Sequence, residues 1–109
     1  MWEIELSKEV TDWYVALVER DRAFADRAFD RLGEVGSQLS MPHARSLGDG
    51  LRELRFTCEG VSRRITYYFD LDRKVVLLTT FRKQRDNERR EVDRARRAKK
   101  ADQILKEDD

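Results

Sequence analysis

Residues 51–81 read LRELRFTCEGVSRRITYYFDLDRKVVLLTTF. They divide into three runs rich in β-branched and aromatic side chains: Leu51 to Thr57, Arg63 to Leu71 and Lys74 to Phe81. Successive side chains of a strand point to opposite faces. In the first run this puts Leu51, Glu53, Arg55 and Thr57 on one side, with Arg52, Leu54, Phe56 and Cys58 on the other. In the second, Ile65, Tyr67 and Phe69 oppose Arg64, Thr66 and Tyr68. The connections Glu59-Gly60-Val61-Ser62 and Asp70-Leu71-Asp72-Arg73 are of hairpin length, so the three strands form an antiparallel meander.

Upstream of the meander, the stretch Ser40 to Gly50 contains Pro42, Gly48 and Gly50 and keeps no period, which reads as a connecting loop. Before it lie two helical patterns. Ser7 is a candidate N-cap for a helix over residues 8–20, whose stripe is Val10, Trp13, Tyr14, Leu17 and Val18. Asp21 is a candidate cap for a second helix striped by Ala25, Ala28, Phe29, Leu32 and Val35, with Gly33 and Gly36 weakening its last turns. The two form a hairpin against the sheet. Residues 2–6 alternate, with Trp2, Ile4 and Leu6 on one face, as in a half-buried strand. Downstream, residues 86–106 read as a helix opened by Asp86 or Asn87, with a thin stripe of Val92, Ala95, Ala98, Ala101, Ile104 and Leu105. With neither repeat nor linker, residues 1–109 are expected to form a single α+β domain.

Charge is unevenly spread. The formal net charge is +1, yet residues 82–100 carry ten basic and four acidic side chains. A concentrated basic segment of this kind can hold a polyanion on a nearly neutral protein. Cys58 is the sole cysteine, which rules out an intramolecular disulfide and fits a reducing, cytoplasmic setting. One cysteine and one histidine do not make a structural zinc site. No apolar run is long enough for a membrane span, and the amino terminus lacks the pattern of a signal peptide.

Four segments, taken in order, resemble a known family: Pro42-His43-Ala44-Arg45-Ser46-Leu47, Leu51-Arg52-Glu53-Leu54-Arg55-Phe56, Arg63-Arg64-Ile65-Thr66-Tyr67-Tyr68-Phe69 and Val75-Val76-Leu77-Leu78-Thr79-Thr80-Phe81-Arg82-Lys83-Gln84. Together they resemble the RelE/ParE superfamily of bacterial toxins, and within it the HigB and phage Gp49-like branch. The resemblance covers about residues 2–100. It implies a RelE-like α+β fold: a small antiparallel sheet packed against an N-terminal helical hairpin, with a basic C-terminal helix. It further implies the toxin of a type II toxin–antitoxin pair, acting as a ribosome-dependent messenger-RNA endoribonuclease. The implied partners are a cognate helix-turn-helix antitoxin, messenger RNA and the ribosome, in a homodimer or a toxin–antitoxin heterotetramer. Two alternatives stay open: a ParE-like, non-enzymatic inhibitor of gyrase, or a phage-derived relative that binds RNA or protein.

RNA cleavage by attack of the 2′-hydroxyl on the adjacent phosphate requires neither metal nor cofactor. It needs alignment, stabilisation of charge on the phosphoryl oxygens, and protonation of the 5′-oxygen. An arginine fork matches phosphate oxygens bidentately. By resemblance Arg64 is the leading contact to the scissile phosphate; the structural alternative pairs it with Glu53 across the hairpin. Lys83, or Arg82 beside it, stands where the family holds a further basic catalytic group. His43 is the only side chain with an unperturbed pKa near neutrality, and so a candidate acid or base. Arg52 and Arg55 replace lysines that family members use on this strand; an arginine is a poor proton acceptor, which leaves them a phosphate-binding role. They alternate, so only one shares the face of Arg64. Tyr68 shares that face and is a candidate base-stacking or phosphate-binding residue. Arg85, Arg89 and Arg90 open the basic helix and are expected to dock on RNA.

Overall fold

In the computed structural model, which describes residues 1–107, the three central runs form β3 (Leu51–Cys58), β4 (Val61–Asp70) and β5 (Lys74–Arg82), paired as an antiparallel meander. Asp108 and Asp109, the end of the stretch expected to form one domain, lie outside the described residues. The remaining elements are β1 (Glu3–Leu6), α1 (Lys8–Val15), α2 (Glu19–Val35), a 3-10 turn (Gly36–Gln38), β2 (Ala44–Gly48) and α3 (Glu88–Glu107). The strands make one five-stranded sheet in the order β1-β5-β4-β3-β2. β1 closes one edge by pairing parallel to β5, with Ile4 opposite Val75 and Leu6 opposite Leu77.

β2 corrects the reading of Ser40 to Gly50 as a loop. Ala44 pairs with Leu54, Arg45 with Glu53 and Ser46 with Arg52, and the register shifts between Ser46 and Gly48. An edge strand bonds to one neighbour only, so the short sequence Ala-Arg-Ser-Leu-Gly needs no apolar alternation to stay in place. Asp49 and Gly50 both have positive φ, 54° and 79°, and turn the chain from β2 into β3.

The helical hairpin also differs in detail. Ser7 caps α1, its Oγ accepting from the Val10 N–H at 3.2 Å. The helix stops at Val15 rather than near residue 20, because Leu17 turns into the core. Arg22 donates to the carbonyls of Val15 and Leu17, satisfying oxygens that a longer helix would have bonded. Asp21 does not cap α2, which begins after Val18; it is buried and accepts from the Glu59 N–H instead. Gly33 of α2 and Gly36 just after it record a close approach. Trp2 N–H bonds to the Gly33 carbonyl, and a Cβ on Gly36 would meet the Trp2 indole at 2.0 Å.

Each face of the sheet carries its own core. Leu54, Ile65, Tyr67, Val75 and Leu77 pack against Val10 of α1 and Ala25, Ala28, Phe29 and Leu32 of α2. On the opposite face Leu51, Tyr68, Val76 and Leu78 meet Ala95 of α3, flanked by Val92 and Ala98. Asn87, not Asp86, prepares α3: it is buried, accepts from the Gln84 N–H and donates to the Arg82 carbonyl. The far end of the expected stripe is not buried, since Ile104 and Leu105 are exposed. Among the described residues no helix is long and apolar enough to cross a membrane.

Candidate functional site

α3 begins at Glu88 and covers only part of its face of the sheet, so the polar residues at the other end of that face are left to form a site. Register places Arg55 opposite Arg64, Glu53 opposite Thr66, and Arg45 of β2 opposite Glu53. By alternation Glu53, Arg55 and Arg64 share this face. Beside them opens a cleft of about 360 Å³ lined by Met41, Pro42, Arg55, Phe56, Thr57, Ser62 and Arg64.

Glu53 lies at the centre and is fully buried. Its Oε2 is 3.3 Å from Arg45 Nε and 4.0 Å from Arg55 Nε, and its Oε1 is 3.8 Å from Arg64 Nε. Neither oxygen receives a hydrogen bond among the described residues. Glu88 sits beside it, with Oε1 accepting from Arg45 Nη2 at 2.8 Å and Oε2 3.7 Å from Lys83 Nζ. Burial first, then the Glu88 carboxylate, push Glu53 up to about 7 against the pull of Arg45 and Arg64. Burial, with Arg55 adding to it, holds Arg64 below the usual arginine range. The cluster thus joins four cations from β2, β3, β4 and the segment after β5 to two neighbouring carboxylates, of which Glu53 is the one pushed upward.

The expected residues separate into two groups. Arg64, Arg55 and Lys83 belong to this cluster. Arg64 is buried and its Nη1 donates to the Arg63 carbonyl; Arg55 reaches Met41 Sδ at 2.9 Å; Lys83 also donates to the Gln84 carbonyl at 2.7 Å. Arg85, Arg89 and Arg90 are exposed around the start of α3.

The others lie elsewhere. Arg52 points to the hairpin face, donating to Tyr67 Oη at 3.2 Å and to the Leu39 carbonyl at 2.6 Å, which makes it a strut of the core. Arg82 follows Phe81, the partner of Arg64, and alternates to the other side of the sheet, where it is exposed. His43 is turned toward α2, its Nδ1 3.0 Å from Arg31 Nη1, so the ring nitrogen accepts from the guanidinium. Tyr68 shares the face of Arg64 but lies beneath α3, two alternations away, about 13 Å along the strand. Its hydroxyl donates to Asp102 at 2.6 Å, and burial followed by that carboxylate raises its pKa. A residue so covered does not stack on a base.

The sequence offered the Arg64–Glu53 pair as the structural alternative for Arg64, but it did not single out Arg45 or Glu88. A charged residue at an inward position of β3, in step with Leu51, was the available signal for Glu53. Arg45 was hidden by the loop assignment of its strand. Among the described residues no group of three or more His, Cys, Asp or Glu side chains is placed to hold a metal ion.

The fold matches solved structures. A chain of the intact E. coli RelBE toxin–antitoxin complex superposes with a TM-score of 0.58 at 9% identity, covering 78% of this chain and all (100%) of that one. The isolated E. coli RelE toxin gives 0.58 at 9% identity, over 86% of this chain and 97% of that one. A free E. coli RelE carrying two arginine-to-alanine changes gives 0.57 at 14% identity, over 92% and 96%. No curated protein sequence matches significantly. Residues 12–100 match the family described as phage derived protein Gp49-like. With that match over most of its length, the chain belongs to the phage-derived Gp49-like family, and its strands and helices are arranged as in RelE.

Proposed function

We propose that the protein is the toxin of a bacterial type II toxin–antitoxin pair and cleaves messenger RNA on the ribosome by attack of a 2′-hydroxyl on the neighbouring phosphate. The observation that carries this reading is the pairing of Arg55 and Arg64 across β3 and β4 at the wall of an open cleft, with the buried Glu53 behind them. A phosphodiester entering the cleft meets two guanidinium forks whose orientation is already set. Charge gathering on its oxygens in the transition state is then stabilised without rearrangement of the protein. Lys83 approaches from the end of β5 and serves as a further cation for the phosphate or the departing 5′-oxygen. Glu53 does not line the cleft and is a positioning residue: it gathers Arg45, Arg55 and Arg64 around one carboxylate.

Arg85, Arg89 and Arg90, exposed where α3 starts, suit docking on RNA, each phosphate contact releasing counterions. The setting proposed is cytoplasmic. The partners proposed are the translating ribosome and a small helix-turn-helix antitoxin, in keeping with the toxin–antitoxin complex among the similar structures.

The test is primer-extension mapping of a defined messenger RNA translated in a purified system. Wild type is compared with the Arg64→Ala/Lys83→Ala double variant and with a reaction lacking ribosomes. Discrete in-frame cuts are expected only with wild type and ribosomes. Folded protein that arrests growth without cutting would overturn the nuclease reading and direct the next assay to gyrase supercoiling.

A further inference from the structure

Glu88 opens α3, and its carboxylate is held between cations from opposite sides of the sheet centre: Arg45 on β2 and Lys83 just beyond β5, with β3 and β4 between them. One oxygen takes a hydrogen bond from Arg45 at 2.8 Å; the other, 3.7 Å from Lys83 Nζ, is buried and receives no hydrogen bond among the described residues. Directly beneath, Glu53 is fully buried and equally without a donor, although three guanidiniums stand within 4.0 Å. Buried carboxylate oxygens are ordinarily satisfied, and two carboxylates placed side by side repel. The cluster therefore holds more internal anion than its hydrogen bonds accommodate. A phosphodiester presents one negative charge spread over two oxygens, as a carboxylate does, and seeks the same guanidinium and ammonium donors.

We propose that Glu88 is an internal stand-in for the substrate phosphate: in the free protein it occupies Arg45 and Lys83, and RNA binds by displacing it, so that Glu88 restrains binding rather than assisting it. This makes Arg45 a substrate-binding residue. It rests on the nuclease reading only for the identity of the anion as RNA. A strut and a stand-in respond to substitution with opposite signs. Removing a strut loosens Arg45 and Lys83 and weakens binding; removing a stand-in frees them and strengthens it.

Glu88→Gln keeps the side-chain shape and an oxygen for Arg45 while deleting the charge. Its affinity is measured against wild type with two probes: a single-stranded 2′-O-methyl oligoribonucleotide, which cannot be cut, and inorganic pyrophosphate. Asp93→Asn, an exposed neutralisation on the same helix, controls for the general field. Glu88→Gln is expected to bind both probes about threefold to tenfold tighter at low salt and pH 7.5, the effect of deleting one partly screened charge, whereas Asp93→Asn changes little. The charged groups around the Glu53 and Glu88 carboxylates are Arg45 from β2, Arg55 from β3, Arg64 from β4 and Lys83 after β5.

In wild-type protein, pyrophosphate should also shift the 13C signal of the Glu88 carboxyl, which keeps the proposal testable should the variant fold poorly. Unchanged or weaker binding by folded Glu88→Gln, or an equal gain in Asp93→Asn, overturns it. Tighter pyrophosphate binding without oligonucleotide binding supports the stand-in and removes RNA as the ligand. Ribosomal cleavage with no gain from Glu88→Gln does the reverse.

Discussion

The two faces of the sheet are held by different forces. Against α1 and α2 the sheet presents Leu54, Ile65, Tyr67, Val75 and Leu77, and the helices return Val10, Ala25 and Leu32, all excluded from water. Against α3 it presents Leu51, Tyr68, Val76 and Leu78, and a helix of twenty residues returns a single buried side chain, Ala95. What α3 lacks in apolar contact it replaces with charge: Arg94 pairs with Glu9 of α1, and Lys106 with Glu5 of β1 and Asp70 of β4. The difference separates a face built to stay shut from a face that keeps charged groups at its open end. An arginine keeps its charge even where burial lowers its pKa, so Arg55 and Arg64 stay charged beside the cleft and able to meet an anion.

The largest effect expected from breaking this contrast is on activity. Arg64→Ala should lower the single-turnover rate of cutting ribosome-bound messenger RNA by about 100-fold to 1,000-fold, the magnitude for loss of one preorganised donor to a developing oxyanion. Arg64→Lys keeps the charge but not the fork and should recover only part of the loss. Arg52→Ala, on the opposite face, should leave the chemical step nearly intact while lowering the unfolding midpoint, since the Tyr67 hydroxyl and Leu39 carbonyl lose their donor. Equal rate losses in the two variants would show that the faces do not divide structure from function as proposed.

Stability follows the same division. Leu32→Ala should cost about 2–5 kcal/mol in urea unfolding, as for a fully buried leucine. Val92→Ala, at the half-buried flank of Ala95, should cost about 1 kcal/mol or less. A comparable cost at both positions would mean that α3 is seated by packing rather than by charge.

The buried carboxylate gives the next effect. Glu53 is raised from 4.5 to about 7, so the folded protein binds a proton that the unfolded chain releases at lower pH. Its favourable contribution is complete below about pH 4.5 and is lost as pH climbs to about 7. Glu53→Gln mimics the protonated side chain. It should therefore be more stable than wild type at pH 8, by roughly 1–3 kcal/mol, with the difference closing toward pH 5. Parallel stability curves across that range would show that Glu53 is ionised throughout.

How much of this was legible in the sequence depended on whether position along the chain determined position in space. Alternation in residues 51–81 separated Arg55 from Arg52 and Tyr68 from Tyr67 correctly, because a paired strand leaves a side chain only two directions. Alternation says nothing about what covers a face. Tyr68 and Arg64 point the same way, yet α3 lies over one and stops short of the other, and only tertiary packing sets that limit. The contact of His43 was out of reach for a similar reason: its loop passes near α2, and Arg31 is more than ten residues away in sequence. Arg45 was missed because an edge strand with a bulge carries almost no periodic signal.

The smallest effects expected are those of the ion pairs that seat α3. Lys106 is partly buried, which disfavours its charge, but the carboxylates of Glu5, Asp102 and Asp70 outweigh that and raise its pKa. Lys106→Met keeps the aliphatic stem and deletes the ammonium, so it isolates the charge from the packing. Because about a third of the side chain is exposed, the three contacts are screened, and the loss should be about 1 kcal/mol or less at low salt. It should diminish further by 0.5 M salt, where the Debye length is roughly 4 Å. The cost of Leu32→Ala should hold steady over the same range, since burial of apolar surface is not screened. Measured in urea at the two salt concentrations, the variants test whether the two faces differ in the kind of force that holds them. A salt-independent loss in Lys106→Met would assign the seating of α3 to packing.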